Sequence, residues 1–294
     1  MPGDVFYAAV EEAARDLYIT SQKDIPPDVR AALAEAADRE TAPQARQALE
    51  VMLRAIAMAD ERKMLVCQDT GIPIFWVSIG AGLCPDGLRL EQALIRGTAR
   101  ATTEHPFRSS VVSPLGRVNR QDSTGKRVPV IHYSFTNQHS ELELLFVPKG
   151  SGSENMSFLK MLVPADGLTG IKKFVLDCVI EAGGKPCPPT IVGVGLGGTA
   201  DLCAALAKEA AVRPVGSHNP DPQLAELEDE LLRAINRTGI GPMGLGGDTT
   251  ALAVHIEDAW THITMNPVAV SLQCWRGERR RALIDSDGAT RYAY

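Results

Sequence analysis

The stretch Met64 to Val77, MLVCQDTGIPIFWV, sets Cys67-Gln68-Asp69-Thr70-Gly71 between two apolar runs. A soft thiol, a carboxamide and a carboxylate stand side by side, and Gly71 lets the backbone turn before the aromatic run Ile74-Phe75-Trp76-Val77. This reads as a polar loop at the mouth of a strand. The plain alternative is that Cys67 is a small buried hydrophobe and that Asp69 and Gly71 merely shape a turn. The rest of the chain decides between them.

Upstream of this loop the spacing predicts helices. Val5, Ala8, Ala9, Ala13 and Leu17 recur at helical period, Pro27 and Asp28 open a second helix through Ala37, and Thr41 with Gln44 resembles a capping box before a third. Downstream, residues 72–79 read as a buried strand and 91–104 as a helix ending before Pro106. Residues 127–135 and 141–147 read as two antiparallel strands, 156–162 and 168–182 as helices, and 190–195 as a strand. A helix from Thr199, another over 222–236, and strands around 252–256 and 268–272 complete the pattern. The expected fold class is mixed α/β, with a helical N-terminal section and two small β-sheets flanked by helices.

Composition excludes several classes. Hydrophobic residues make up 45% and charged residues 22% of the 294, as in ordinary globular proteins, and no apolar run approaches the ~18 residues a membrane span requires. A start of Met-Pro-Gly-Asp-Val-Phe-Tyr has neither a basic segment nor an apolar core, so the chain reads as cytoplasmic. Six cysteines without a close pair do not make a disulfide framework. A net charge of -6 argues against nucleic acid as a partner, and Arg276, Arg279, Arg280 and Arg281 read as a solvated or interface-facing turn.

Three cysteines share one context. Cys67, Cys187 and Cys274 each fall at the edge of a predicted strand beside Gly, Pro or polar residues, whereas Cys178 and Cys203 fall on apolar helix faces and read as core. Three thiolates can hold three corners of an iron-sulfur cube and leave the fourth iron open; zinc, which usually takes four ligands including close pairs, fits less well. Arg108 offers a planar fork for a carboxylate, and Gly150-Ser151-Gly152-Ser153-Glu154-Asn155 has the small residues and amides of an anion-binding loop, without the ending of a nucleotide P-loop. Gly193, Gly195 and Gly198 have the spacing of a dinucleotide fingerprint, but no apolar strand ending in an acidic residue follows at the required distance.

In this order, CQDTG, KGSGSEN, KPCPPTIVGVGLGG, GIGPMGLGG, the VHIE-to-THIT stretch and QCW resemble the alpha part of class I, iron-sulfur-dependent fumarases and the related L(+)-tartrate dehydratases, from about residue 5 to residue 284. The resemblance implies that Cys67, Cys187 and Cys274 ligate a 4Fe-4S cluster. It implies that Gln68, Arg108, Gly150, Ser153, Glu154 and Asn155 line a dicarboxylate pocket, that Asp69 transfers a proton, and that His262 stands beside the substrate. His255 is left undecided.

Single-chain members of that family continue into a second domain. Residues 1–294 are therefore expected to form one class I alpha-type catalytic domain, completed by a separate beta subunit in an α2β2 assembly. The expected reaction is reversible hydration of fumarate to L-malate. The alternatives are tartrate or a methyl-substituted dicarboxylate, and, from another class, a non-catalytic iron-sulfur partner subunit.

Overall fold

A computed structural model describes residues 2–294. In chain order the elements are α1 (Asp4–Lys23), α2 (Pro27–Arg39), α3 (Pro43–Arg62), β1 (Ile72–Gly80), α4 (Gly87–Glu104), β2 (Val130–Thr136), β3 (Leu142–Lys149), the single turn α5 (Ser151–Glu154) and β4 (Phe158–Leu162). There follow α6 (Gly167–Ala182), β5 (Thr190–Gly197), α7 (Ala200–Ala210), α8 (Pro222–Asn236), β6 (Ala251–Ala259), β7 (Asn266–Gln273), β8 (Arg280–Ile284) and β9 (Thr290–Ala293). The architecture is mixed α/β, as the sequence predicts. The chain divides into two compact units: Met1–Ile25, Met58–Gly150 and Glu278–Tyr294 form one, and Pro26–Ala57 with Ser151–Gly277 the other.

The first unit is a five-stranded sheet, order β2-β1-β3-β8-β9, with α1 and α4 packed on it. Apolar side chains recurring on α1 (Phe6, Val10, Leu17) and α4 (Leu90, Leu94) meet Phe75, Val77, Leu144 and Phe146 from the strands in one core. The two helices approach closely because Gly97 has no side chain: a Cβ there would lie 2.4 Å from the Glu11 carbonyl. The two stretches expected to pair as antiparallel strands do not pair with each other. β1 lies between them, parallel to β2 and antiparallel to β3. The apolar β1 takes the inner position between them, and α4 lies in the crossover joining it to its parallel neighbour.

The second unit is a four-stranded sheet, order β4-β7-β5-β6. α6 and α8 bury Val175, Val179, Leu227 and Leu231 on one face against Val192, Val194, Val254 and Val270. α7 covers the other face through the glycines whose spacing mimics a dinucleotide fingerprint. Cβ atoms at Gly193 and Gly195 would lie 2.1 and 2.0 Å from the Ala207 and Cys203 carbonyls. Both glycines sit inside β5 and serve helix-on-sheet packing, not a phosphate loop.

Other expectations change. Residues 158–162 form the edge strand β4 instead of a helix, paired to β7 and too short to bury a helical stripe. The Thr41–Gln44 capping box gives way to a tertiary contact, in which Thr41 donates through Oγ1 (2.6 Å) and its backbone N–H (3.0 Å) to Asp248. Strands β8 and β9 lie beyond the last predicted strand. The arginine cluster is no solvated turn: Arg276 and Arg279 are buried, Arg280 pairs with Asp24 at 2.5 Å, and Arg281 pairs with Glu143 at 2.9 Å.

Candidate functional site

Within the first unit the Cys67–Gly71 loop is held from beneath by α1. The hydroxyl of buried Tyr18 and the side-chain amide of buried Gln22 both donate to the Thr70 carbonyl at 3.0 Å, and the Gln22 carbonyl accepts from Val66 N–H at 3.2 Å. Burial pushes the Tyr18 phenol above its ordinary pKa, which keeps it a donor. Thr70 Oγ1 then donates to the Arg108 carbonyl at 2.6 Å, tying the Arg108 segment to the loop.

Asp69 is fixed by its own turn, one carboxylate oxygen accepting from Gly71 N–H at 3.0 Å. The other oxygen lies against Gly150: a Cβ there would sit 3.3 Å from Asp69 Oδ2, tighter than an ordinary contact. Gly71, at φ +71°, presses on the Pro148–Lys149 backbone, with 2.5 Å between a notional Cβ and the Pro148 carbonyl carbon. Asp69, Gly150, Gln68, Cys67 and the Arg108 segment are thereby gathered around one loop. Cys67, Gln68 and Arg108 are exposed, and a cleft of about 460 Å³ lined by Lys23, Lys63, Pro106 and residues 64–68 adjoins Cys67 and Gln68.

Within the second unit, two predicted thiol ligands are brought together by the main chain. Trp275 N–H donates to the Cys187 carbonyl at 3.1 Å, bracing the residue after Cys274 against Cys187. Met243 N–H donates to the Pro188 carbonyl at 2.8 Å, so the glycine-rich 239–247 loop folds over the Cys187 turn. Cys187 itself adopts φ +58°, a left-handed conformation uncommon outside glycine. Gly152, in α5, approaches the Lys185 carbonyl, 3.2 Å from a notional Cβ. On the same turn Ser153 is buried, Glu154 accepts from Lys208 Nζ at 2.5 Å, and Asn155 is exposed.

His262 lies on the exposed loop between β6 and β7. Its Nδ1 accepts from the Thr264 backbone N–H at 3.3 Å and lies 2.9 Å from Thr264 Oγ1. A donor on Nδ1 places the proton of the neutral ring on Nε2, which can then donate to a ligand. The same loop exposes Trp260 (99%) and Ile263 (87%). His255, by contrast, is a core residue of β6, its Nδ1 3.2 Å from the Ala210 carbonyl.

The cysteines separate by environment. Burial pushes the Cys178 thiol up to about 12 and Cys203 up to about 11, and Cys203 donates to the Gly195 carbonyl at 3.2 Å. Both stay protonated packing groups. Cys67 is exposed, Cys187 and Cys274 are half-buried, and none of the three is in a disulfide. Among the described residues no three His, Cys, Asp or Glu side chains gather around a point that would suit a single metal ion. A cube whose cysteines each bind a different iron does not require that arrangement.

Sequence reasoning missed Tyr18 and Gln22, which hold the loop from below, and Lys149, buried one residue before Gly150. The signal for Lys149 was in view: a lysine at the end of an apolar strand, directly before the glycine-serine run.

The family model described as Fumarate hydratase (Fumerase) matches residues 11–284. The chain belongs to the fumarate hydratase family. It is a hydro-lyase of the fumarate hydratase type and a class I alpha-subunit homologue. A Methanocaldococcus jannaschii protein provisionally named L(+)-tartrate dehydratase subunit alpha is 42% identical over 280 residues, covering 95% of this chain and 98% of that protein. The L(+)-tartrate dehydratase subunit alpha of Escherichia coli strain K12 is 33% identical over 263 residues, 90% of this chain and 86% of its own length. Among the described residues of this family member, no helix is long and apolar enough to cross a membrane.

Proposed function

We propose that the chain is the alpha subunit of a two-subunit class I fumarate hydratase, reversibly hydrating fumarate to L-malate in the cytoplasm. Residues 1–294 act as one catalytic domain, completed by a separate beta subunit in an α2β2 assembly. The observation that carries the reading is the Asp69 carboxylate, pinned by Gly71 and set against Gly150 on the loop that also bears Cys67 and Gln68. In this reading Asp69 is the proton-transfer group, and the neighbouring Gly150 segment receives a substrate carboxylate.

Asp69 gives a proton to one olefinic carbon during hydration and takes it back during dehydration. Arg108, Gln68 and the backbone at Gly150, with Ser153, Glu154 and Asn155, hold and orient the two carboxylates. His262, with the ring proton on Nε2, donates a hydrogen bond to the hydroxyl oxygen that joins or leaves the neighbouring carbon, while the proton that water loses in hydration, and that the leaving hydroxyl regains in dehydration, is exchanged with solvent. Cys67, Cys187 and Cys274 would hold a 4Fe-4S cluster, which when bound supplies an open iron as Lewis acid. The donor set fits: three cysteines outside any disulfide stand at element ends, two of them on segments braced by a backbone hydrogen bond, while the helix cysteines Cys178 and Cys203 are packed away.

Two features support a separate partner. The relatives are named as alpha subunits, and the His262 loop presents Trp260 and Ile263 to solvent, apolar surface of the kind an interface covers. The names of those relatives also favour a second reading, L(+)-tartrate as substrate.

The test is anaerobic reconstitution with iron and sulfide, with and without the partner, followed by turnover of fumarate, L-malate and L(+)-tartrate. Fumarate is expected to give the higher kcat/KM, with activity only when the partner is present. A higher value for tartrate transfers the assignment to the second reading. A site built to hydrogen-bond the extra hydroxyl would discriminate by about 10⁴ or more. Turnover unchanged in Asp69→Asn would favour a non-catalytic iron-sulfur subunit or a misassigned proton carrier.

A further inference from the structure

Gln273 ends β7 and is 1% exposed, opposite Ile191 of β5, immediately before Cys274. Neither its Oε1 nor its Nε2 has a hydrogen-bond partner, and the Oγ of Ser271, two residues earlier on the same face of the strand, is likewise unmatched. Buried carboxamides are nearly always hydrogen-bonded, because burial removes them from water without compensation. An orphan of this kind in a native fold points to a partner that is not part of the chain.

Its position narrows the partner. The segment it opens carries Cys274, and one residue further on Trp275 N–H is bonded to the Cys187 carbonyl, so the backbone that bears the amide runs directly into the pair of predicted thiol ligands. A carboxamide suits thiolate or sulfide sulfur. It offers N–H donors without adding negative charge to an already anionic group, and without burying a positive charge. Either orientation of the amide presents the same two kinds of atom.

We infer that Gln273 is a positioning residue whose side-chain N–H donates to a sulfur of the iron-sulfur group held through Cys187 and Cys274. The inference rests on the cluster assignment made above. Such donors raise the reduction potential of a cluster by stabilising its more negative state, and they slow its loss.

The experiment compares the full-length wild-type chain with Gln273→Met, which keeps the volume and removes the polar atoms, and with Gln273→Glu, which removes the amide donor. Thermal unfolding is measured on the cluster-free chains. Iron per chain, the midpoint potential from an electron spin resonance titration, and iron loss in air are measured after anaerobic loading. The Met variant is expected to unfold at or above the wild-type temperature when cluster-free, because a buried unsatisfied amide has been replaced by an apolar group. Its loaded form is expected to show a more negative potential and several-fold faster iron loss, and the Glu variant to load less iron. Wild-type potential and iron loss in the Met variant would overturn the inference while leaving the cluster in place. A Met variant that is less stable when cluster-free, or fails to fold, would also overturn it, by showing that the amide serves the protein alone. A wild-type chain that takes up no iron defeats the cluster assignment itself, a result distinct from both.

Discussion

The Thr70 carbonyl accepts from both Tyr18 and Gln22, and through it the Cys67–Gly71 loop is fastened to α1. Tyr18→Phe removes one of those donors. It is expected to lower stability by about 1 kcal/mol in urea unfolding and to reduce kcat more than it changes KM, because the loop still forms but holds Asp69 less firmly. Asp69→Asn, by contrast, is expected to leave stability nearly unchanged and to cut kcat by about 10² to 10⁴ in the reconstituted enzyme. Cys187 carries the left-handed φ of +58°. Cys187→Gly is therefore expected to leave the cluster-free chain at least as stable as wild type, by roughly 1 kcal/mol, while abolishing cluster loading measured as iron per chain. The CQDTG loop was legible in sequence because a thiol, an amide, a carboxylate and a glycine are conspicuous together. Tyr18 and Gln22 were not, because each presents a polar tip from a helix face whose spacing announces only packing.

Among elements, the helices α1, α6, α7 and α8 and the strands β1, β5 and β7 follow the periodicity of the sequence closely. Pairing did not follow from it: nothing in the alternation of residues 127–147 reveals that β1 takes the place between β2 and β3. The close seat of α7 on β5 was hidden for a different reason, since glycines that admit a helix and glycines that admit a phosphate look alike in a string of letters. Gly195→Ala drives a Cβ to 2.0 Å from the Cys203 carbonyl and is expected to cost about 3 kcal/mol, read as a fall in the urea midpoint.

The same layer predicts an alkaline weakness. Cys178 and Cys203 titrate near 12 and 11 in the folded chain, against an ordinary 9, so the folded state keeps protons that the unfolded chain sheds. Stability is complete below pH 9 and declines as pH rises toward 12. The urea midpoint should fall across that window, and Cys178→Ala should lower it at neutral pH while flattening the alkaline slope.

For the molecule as a whole, each predicted site residue falls on a loop or element end of one of two separately packed units, and neither unit is contiguous in sequence. A reading of motifs in order could nominate ligands and a proton carrier, but it could not show a boundary that the chain crosses several times. The proposed partner belongs to this scale. Trp260→Ser is expected to leave the stability of the isolated chain within about 0.5 kcal/mol of wild type, because the side chain is almost wholly exposed, and to weaken association with the beta subunit in a titration calorimeter.

Strand order also bears on how the protein is made. In the five-stranded sheet β8 lies directly beside β3, although some 130 residues separate them, and Ala282 and Ile284 complete the core that Phe6 and Leu17 begin. On the ribosome, synthesis proceeds from the N-terminus, so the opening helix waits through almost the entire period of elongation for the strand that closes its core. Until then the nascent sheet shows an unpaired β3 edge, the kind of template that recruits foreign strands. Stalled or prematurely terminated products of this gene should accordingly be aggregation-prone and dependent on chaperones, while the finished chain is not.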